Sequence, residues 1–262
     1  MPLNIIATPI GNLSDISLRA IETLKNCELI YCEDTRVSIK LLNHFNIQGK
    51  KLISCNKENE HKRISEIIKA LDENINIALI SDAGTPLISD PGSELLSKLW
   101  EHKKNLKIQS IPSPEIIPIG GISSLTTALS VCPIDCSRFC FEGFLPHGGK
   151  QRRRVLRKLL EEERALVFFE SPHRIIDTLE DLRSIFLTEE DTKDLKIKSG
   201  KRSNEKKNEK SKNINKDNQI FFAREMTKIH EEYYFGTIEE AIEYLQDKFP
   251  NKKIQGEFVL IF

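Results

Sequence analysis

The sequence predicts an α/β fold made of two α/β domains. Along the first half of the chain, short apolar runs that end in polar turns alternate with amphipathic helical patterns. This alternation is typical of a parallel sheet with helices on both faces. It resumes after Pro133 to Asp135, which is a predicted hinge. The 262 residues suffice for two domains of ordinary size, so we expect one domain over residues 1–133 and another over residues 134–262.

The elements of the first domain follow from its apolar runs and cap residues. We expect strands at Leu3 to Thr8, Glu28 to Cys32, Lys51 to Ser54, Ile77 to Ile80 and Leu106 to Ile111. Helices are predicted to end near Lys25 and Phe45, to run through Ile64 to Leu71 and Leu95 to Trp100, and to span Ser123 to Ser130. Ser14 or Asp15 is predicted to cap the first helix, and Asp90 the helix after Pro91.

The second domain repeats the pattern around one unusual segment. We expect strands at Phe139 to Glu142, Ala165 to Glu170, Ile220 to Ala223 and Gly256 to Phe262. Helices are predicted at Lys150 to Glu162, through Leu179 and Leu182, and at Glu239 to Leu245. The segment from Thr192 to Asn218 has almost no apolar residues, so we predict a disordered basic loop there.

Composition and charge exclude some functional classes. Lys plus Arg and Asp plus Glu are 39 each, so the global charge indicates no partner and any nucleic-acid affinity must come from local patches. No apolar run approaches the roughly 18 residues that a membrane span needs. The first residues, Met1 to Ala7, lack the basic start of a signal peptide, so we expect a cytoplasmic protein.

The six cysteines do not predict a metal centre. Cys132, Cys136 and Cys140 have C-x3-C-x3-C spacing, which is not the C-x2-C pairing of a zinc site. In a cytoplasmic protein we expect reduced thiols that behave as small buried apolar residues, and we expect no metal.

The stretch from Ile77 to Gly92 is the most informative part of the chain. A buried strand breaks there into a turn, Asp82 to Pro86, whose glycine and prolines fix a path that exposes backbone amides. In parallel α/β sheets, ligands bind beyond the carboxyl ends of strands. Similar turns follow other strands, at Thr8 to Asn12, Glu33 to Arg36, Glu170 to Arg174 and Arg224 to Lys228. Together they indicate a ligand cleft between the two halves, although the absence of G-x-G-x-x-G from the first half argues against the usual dinucleotide site.

Six blocks of the sequence resemble one known family. They are Thr8 to Ala20, Glu33 to Arg36, Ser81 to Gly92, Phe139 to Pro146, Phe169 to Arg174 and Ala223 to Lys228. In this order they are similar to the ribosomal RNA small subunit methyltransferase I family of the tetrapyrrole methylase superfamily, the class III methyltransferases. The resemblance implies S-adenosylmethionine as cofactor, folded into the cleft between two α/β domains. It also implies methylation of the ribose 2′-hydroxyl of a cytidine in 16S ribosomal RNA of the small subunit, and a homodimer.

The resemblance also implies a set of cofactor-binding residues. Carried over position by position, they are Pro9, Ala83, Gly84, Thr85, Ile88, Ser123, Ser124 and Glu170. The turn before Ser123 is Gly120-Gly121-Ile122, where the family usually has Pro-Gly-Pro.

The reaction implied by the family needs positioning and a base. The enzyme must hold the acceptor oxygen in line with the activated methyl group, and a carboxylate nearby would take or share the hydroxyl proton. Four acids are candidates by position: Asp34, Asp82, Glu170 and Glu225. The sequence does not choose among them, and an ion pair or a helix cap is an equally good interpretation of each.

RNA binding requires local positive charge. The densest cluster runs from Lys150 to Arg154, together with Arg157 and Lys158, and it opens a predicted helix, where the helix dipole disfavours cations. We predict that Lys150, Arg152, Arg153 and Arg154 bind RNA rather than stabilise the fold, and that Arg36 and Arg174 add to the RNA surface. The alternative is a solvated helix face.

Two rival functions remain open on the sequence. One is a small-molecule methyltransferase of the same fold that acts on a tetrapyrrole. The other is a ribosome-associated RNA-binding protein without catalysis. The blocks Glu33 to Arg36 and Phe169 to Arg174, with the basic helix, favour the RNA methyltransferase.

Overall fold

Two compact units make up the fold, Met1–Thr126 and Thr127–Phe262. The structure is a computed structural model that describes residues 1–90, 92–159, 162–198, 218–250 and 253–262, with the backbone alone of residues 187–198. Each unit is built around one five-stranded sheet.

The first unit contains a parallel sheet with the strand order β3-β2-β4-β1-β5. Its strands are β1 Leu3–Ile6, β2 Leu29–Cys32, β3 Lys51–Ser54, β4 Ile77–Ile80 and β5 Ile116–Ile119. Its helices are α1 Leu18–Asn26, α2 Thr35–His44, α3 Glu60–Asp72 and α4 Ser93–Ile108, and α5 Ser124–Val131 begins at its end. The predicted strands at β3 and β4 are confirmed to the residue.

Helices cover both faces of this sheet, as predicted. Leu3 and Ile5 of β1 pack in one cluster with Ile67 of α3 and Leu99 of α4. The opposite face forms a second cluster, in which side chains from β1, β2 and β4 pack against α1 and α2. The two central strands, β1 and β4, are buried at all positions, and each fully buried Leu or Ile contributes about 1.5–3 kcal/mol of transfer free energy.

The predicted strand from Leu106 to Ile111 is wrong, because α4 continues through this segment. The helix ends in a Schellman motif, in which Ser110 adopts a φ of 58° and Ile111 donates its N–H to the carbonyl of Leu106 at 3.0 Å. The fifth strand lies instead in the following Pro-rich segment, as β5. It contains Pro118, which is tolerated because β5 is an edge strand.

The predicted cap of α1 is also wrong. Ser17 caps this helix by accepting a hydrogen bond from the N–H of Ala20 at 3.1 Å. Ser14 and Asp15 lie one turn earlier, in a short 3-10 turn that Asn12 caps. Several Ser and Asp residues in a row offer alternative caps, and the sequence alone does not choose among them.

Asp90 does not cap α4. This helix starts after Gly92 and has no side-chain cap of its own. The N–H of Leu95 instead donates to the carboxylate of Glu60 at 3.0 Å, and Glu60 is a buried residue at the start of α3. An acid from a neighbouring helix therefore stabilises the positive end of α4.

The second unit contains a mixed sheet with the strand order β6-β7-β10-β8-β9, in which only β6 and β7 are parallel. Its strands are β6 Phe139–Phe144, β7 Ala165–Glu170, β8 Gln219–Arg224, β9 Glu232–Thr237 and β10 Phe258–Ile261. Its helices are α6 Gly149–Leu159, α7 Ile175–Lys198 and α8 Ile238–Lys248. All three helices pack on one face, where they share a cluster with Phe168 and Phe222.

Two features of the second unit differ from the prediction. The edge strand β9 was not predicted, although its sequence is rich in aromatic residues. Helix α7 extends to Lys198, so residues 192–198 of the predicted disordered loop are helical. Asn218, at the other end of that loop, accepts a hydrogen bond from the N–H of Ile238 at 3.0 Å. Residues 199–217 lie outside the described residues.

The cysteines are all free thiols. Cys27, Cys32 and Cys55 are buried, whereas Cys132, Cys136 and Cys140 are only half-buried, contrary to the prediction. Burial raises the pKa of Cys27 and of Cys55 to about 11, so both stay protonated at neutral pH. Across the described part of the chain, no helix is long and apolar enough to cross a membrane.

Candidate functional site

The topological switch point of the first sheet lies between β1 and β4. These strands are neighbours, but the chain leaves β1 towards β2 and β3 on one side, and leaves β4 towards β5 on the other. The loops that follow them therefore cross at this edge and lead to helices on opposite faces, α1 and α4, and a crevice opens at the carboxyl edge of the sheet.

The two loops are locked together at this point. Thr8 donates its N–H to the carbonyl of Gly84 at 2.9 Å, and Gly84 donates its N–H to the carbonyl of Thr8 at 3.0 Å. The hydroxyl of Thr8 also donates to the carbonyl of Ser81 at 3.2 Å. Gly84 has a φ of 81°, and a Cβ there would lie 3.3 Å from Cγ2 of Ile10. Glycine therefore fits this crossing better than any other residue.

A cavity of about 270 Å³ opens beside the locked loops. Its walls come from the β1 loop, from α2 and from the β4 loop, and include Pro9, Leu13, Val37, Lys40, Asp82 and Ala83. Apolar walls with a few polar groups at one point are typical of small-molecule sites, and the volume is close to the lower end of their range.

Most of the predicted cofactor residues lie on this edge of the first sheet. Pro9 and Ala83 line the cavity, and Ile88, further along the β4 loop, is 40% exposed. The hydroxyl of Thr85 donates to the carbonyl of Ile122 at 3.5 Å, which brings the β4 loop to the start of α5. Ser123 and Ser124 follow directly.

The turn before α5 needs a glycine at position 121, which is the middle position of the Pro-Gly-Pro turn usual in the family. A Cβ on Gly121 would lie 2.9 Å from the Cβ of Ala7, which is closer than side chains normally approach. The turn after β5 therefore presses against the end of β1. Its tight path depends on a glycine where the backbone passes Ala7.

Asp82 is the acid that lines the cavity. One of its carboxylate oxygens accepts a hydrogen bond from the N–H of Asp34 at 3.0 Å. Burial raises the pKa of Asp82, the N–H of Asp34 lowers it, and the nearby charge of Asp34 raises it again, so that the pKa lies above its ordinary value.

Glu33 and Asp90 form an acidic group with Asp82. Burial raises the pKa of Glu33, and the charges of Asp90 and Asp82 add to this effect. The pKa of Asp90 is raised by burial and by the charge of Asp82, against a hydrogen bond with Ser81. Neither Glu33 nor Asp90 was predicted to belong to an electrostatic group, although both stand in the predicted loops.

Asp34 serves as the N-cap of α2. Its carboxylate accepts from the N–H of Arg36 at 2.8 Å and pairs with the guanidinium of Arg36 at 2.6 Å. The hydrogen bonds from Arg36 hold the pKa of Asp34 at about 2. The side chain of Arg36 is 87% exposed.

Glu170 lies in the second unit, at the end of β7, and its carboxylate is fully buried. It accepts from the N–H of Ser171 at 2.7 Å and from the hydroxyl of Thr178 at 2.8 Å, and pairs with Arg174 at 2.7 Å. Ser171 and Arg174 lie in the turn between β7 and α7, and Thr178 lies in the first turn of α7. The prediction of Glu170 as a base or cofactor ligand does not fit these contacts, because they leave little of the carboxylate free.

Glu225 is held in a similar way. Its φ is 50°, and its carboxylate pairs with Lys228 at 2.8 Å and accepts from the N–H of Glu257 at 3.1 Å. Burial alone would raise the pKa of Glu225, but Lys228 and the N–H of Glu257 lower it below its ordinary value. A carboxylate stabilised in this way is a weak base.

The predicted RNA-binding arginines fall into different environments. Arg152 is buried, and its guanidinium pairs with Asp181 at 2.7 Å. Arg153 is partly exposed and pairs with the same carboxylate at 2.8 Å. The prediction that Arg152 binds RNA rather than stabilises the fold does not fit its burial. Arg174 is also largely buried, and donates to the carbonyl of Leu145 at 3.0 Å.

Two comparisons with known sequences show the family of the chain. A family model described as Tetrapyrrole (Corrin/Porphyrin) Methylases matches residues 2–242. Over 259 residues, the chain is 40% identical to a protein of Thermotoga maritima named ribosomal RNA small subunit methyltransferase I, covering 99% of this chain and 96% of that one. A protein of the same name from Synechocystis is 38% identical, with 99% and 77% covered.

The chain belongs to the ribosomal RNA small subunit methyltransferase I family, among the tetrapyrrole methylases. Comparison with solved structures confirms the predicted fold. The methyltransferase CobJ aligns with a TM-score of 0.61 and 15% identity, covering 99% of this chain and 93% of that one. Uroporphyrin III C-methyl transferase from Thermus thermophilus aligns at 0.56 and 13% identity, covering 100% and 97%. At these identities the likeness concerns the fold alone.

Part of the cavity wall in this family member was not predicted from the sequence. Leu13, Val37 and Lys40 line the cavity, but none was a predicted site residue. Val37 and Lys40 are three residues apart, so they lie on one face of α2. That spacing was visible in the sequence, but which face of α2 meets the β1 loop depends on how the helix packs. Within the described residues, no group of His, Cys, Asp or Glu is arranged to hold a metal ion.

Proposed function

We propose that this protein transfers a methyl group from S-adenosylmethionine to the ribose 2′-hydroxyl of a cytidine in 16S ribosomal RNA. The observation that carries the proposal is the cavity at the β1/β4 switch point, with Asp82 in its wall. Relatives that match nearly the whole chain are named for methylation of small-subunit ribosomal RNA, which supports this substrate class.

The residues around the cavity fit the cofactor. S-adenosylmethionine supplies a methyl group activated by a positively charged sulfonium. Pro9, Leu13 and Val37 offer apolar surface to its nucleoside, and the exposed loop at Ala83 offers backbone groups. The carboxylate of Asp82 adds negative charge on the side where a positively charged ligand would bind.

Asp82 is the proposed general base. Asp34, Glu170 and Glu225 are each held by a cation, and Glu170 and Glu225 also lie outside the first unit. Asp82 accepts one backbone hydrogen bond, and no ion pair involves it among the described residues. Its raised pKa makes it a better proton acceptor than an ordinary carboxylate.

This chain would contribute mainly positioning to the reaction. The hydrogen bonds between Thr8 and Gly84 fix the two loops, so the walls of the cavity hold their places before a ligand arrives. Such preorganisation holds the acceptor oxygen and the methyl group at near-attack distance. Asp82 would then take the hydroxyl proton as the new bond forms.

The decisive experiment measures transfer of labelled methyl from S-adenosylmethionine to purified small ribosomal subunits and to free 16S RNA, followed by mapping of the product. We expect a single 2′-O-methylated cytidine. The Asp82→Asn variant should lose about 10²–10⁴-fold in rate while it still binds the cofactor. Glu22→Gln is the matched control, since it removes an exposed acid of α1 that is not among the residues lining the cavity.

Two results would overturn the proposal. Methylation of a tetrapyrrole precursor but of no RNA would assign the protein to the small-molecule branch of the fold. Absence of any transfer, with RNA still bound, would leave an RNA-binding protein. The homodimer and the cytoplasmic location stay predictions, and light scattering on the purified protein tests the dimer.

A further inference from the structure

Helix α6 is unusually basic. Between Gly149 and Leu159 it carries six Lys and Arg residues and no acid, and Leu156 anchors it in the core of the second unit. The basic residues divide into two groups by their surroundings. One group points towards α7, and the other is exposed to solvent.

The group that faces α7 is neutralised. Asp181 of α7 accepts from Nε of Arg152 at 2.7 Å and from Nη1 of Arg153 at 2.8 Å, one guanidinium on each carboxylate oxygen. The side chains of Arg152 and Asp181 are 5% and 10% exposed. This pair fixes the position of α6, and its charges are already satisfied within the fold.

The exposed group has no such partner. It consists of Lys150, Arg154, Arg157 and Lys158, which we call the basic stripe. Among the residues that the structure describes, none of the four is within ion-pair distance of a carboxylate. By contrast, Lys98 of α4 pairs with Glu101 at 3.1 Å.

Lys150, Arg154 and Lys158 are spaced four residues apart, so they lie along one face, about 6 Å further along the helix at each step. Like charges at this spacing repel each other, and Lys150 also lies in the first turn, where the helix dipole disfavours a cation. Arg157 and Lys158 lie in the last turn, where the dipole favours cations, but the repulsion along the stripe and the position of Lys150 are not offset by a carboxylate within the described fold. An anionic partner would reverse both effects.

We propose that the basic stripe binds the phosphate backbone of ribosomal RNA. This inference rests on the proposed function, because it takes RNA as the substrate. An acidic protein fits less well, since stable protein interfaces place apolar and aromatic side chains at their centre. The exposed face of the stripe, including Gln151, offers only polar and charged groups.

The test compares two variants that each lose four positive charges. In the first, Lys150, Arg154, Arg157 and Lys158 are all replaced by Gln, which has nearly the same helix propensity. In the matched control, Gln replaces four exposed lysines of the first unit: Lys25, Lys62, Lys104 and Lys107. Affinity for 16S RNA and for small subunits is measured across a salt series, together with cofactor affinity and melting temperature.

The stripe variant should bind RNA more weakly and with a shallower salt dependence. The slope should fall by about 0.9 logarithmic units for each phosphate that is no longer neutralised on a duplex, or about 0.7 on a single strand. The control should keep the wild-type slope, and both variants should keep cofactor affinity. Should the stripe variant fold poorly, the double variant Arg154→Gln/Lys158→Gln should show the same effect at about half the size.

The outcomes separate this inference from the proposed function. If wild-type protein methylates RNA while the stripe variant and the control share one slope, the stripe is a solvated face and only this inference fails. If the wild type neither binds nor methylates ribosomal RNA, the proposed function fails and the stripe proposal fails with it.

Discussion

Removing the carboxylate of Asp181 should destabilise the protein strongly. The side chain of Arg152 is only 5% exposed, so Asp181→Ala leaves a buried guanidinium without its partner, next to a second cation at Arg153. Breaking a buried ion pair by removal of one partner costs about 3–5 kcal/mol of unfolding free energy. Arg152→Met should cost less, about 1–3 kcal/mol, because Asp181 keeps its hydrogen bond with Arg153.

The double variant Arg152→Met/Asp181→Leu tests whether burial is the cause. It removes both buried charges and fills the space with apolar side chains, an exchange that is often neutral or stabilising. We therefore expect its stability to exceed that of Asp181→Ala by at least about 2 kcal/mol. The two single losses should not add, as is usual for residues in direct contact.

Denaturant unfolding, followed by circular dichroism, measures all four proteins. The single variant Asp181→Leu, measured in the same way, closes the double-mutant cycle with Arg152→Met and gives the coupling free energy of the pair. The reasoning would be refuted if each single variant lost less than about 1 kcal/mol of unfolding free energy and these losses added up to that of the double variant. That result would mean that the Arg152–Asp181 pair is solvated. In that case Arg152 would again be available for RNA.

Two other predictions concern the β4 loop. Gly84→Ala should weaken S-adenosylmethionine binding about tenfold in calorimetry, because the φ of 81° and the closeness of Ile10 both oppose a Cβ. The control is Gly49→Ala, at a glycine with a φ of 71° and open space around it. It should lose about 1 kcal/mol of stability and keep its cofactor affinity. Asp90→Asn should raise the melting temperature at pH 7 by about 2 °C. The pKa of Asp90 is higher in the folded protein than in the unfolded chain, so stability is lost as pH rises through the folded pKa and Asp90 becomes charged. Near pH 4 more of this acid is protonated. The gain in melting temperature from Asp90→Asn should therefore be smaller there. An equal gain at both values would rule out the charge of Asp90 as the cause.

Strand positions in the first unit were predictable where the pattern was local. β4 is a short apolar run and β3 carries Leu52 and Ile53 at its centre, and each strand lies between polar turns. The segment from Leu106 to Ile111 has a similar apolar content, yet it forms the end of α4. The helix is ended by a Schellman motif with Ser110 in the left-handed region. Glycine is the usual residue at this position, so a serine does not predict the end of the helix from the sequence.

The second unit shows a different limit. β9 pairs with β8 in an antiparallel hairpin, with Phe221 stacked beside Tyr233. Its alternation of polar and aromatic residues is short, and it comes directly after a predicted polar loop. Only the pairing with β8 makes it a strand, and such tertiary contacts override local propensity.

The loops of the candidate site were predictable from glycine, proline and their place after strands. The roles of the charged residues were not, because those roles depend on partners far away in the sequence. Asp181 lies 29 residues beyond Arg152, and Glu60 lies 35 residues before the N–H of Leu95 that it caps. The four candidate bases look alike in sequence for the same reason.

The structure separates these four acids by the partners that they already have. A general base must have a lone pair free for the incoming proton, and a cation held against a carboxylate lowers its affinity for that proton. Asp34 is held by Arg36, Glu170 by Arg174 and Glu225 by Lys228. Asp82 differs because it has no ion pair among the described residues: it accepts a backbone N–H, and the charges of Asp34 and Arg36 act on its pKa in opposite directions. Because burial raises the pKa of Asp82 and no cation is paired with its carboxylate among the described residues, Asp82 is the proposed proton acceptor among the four.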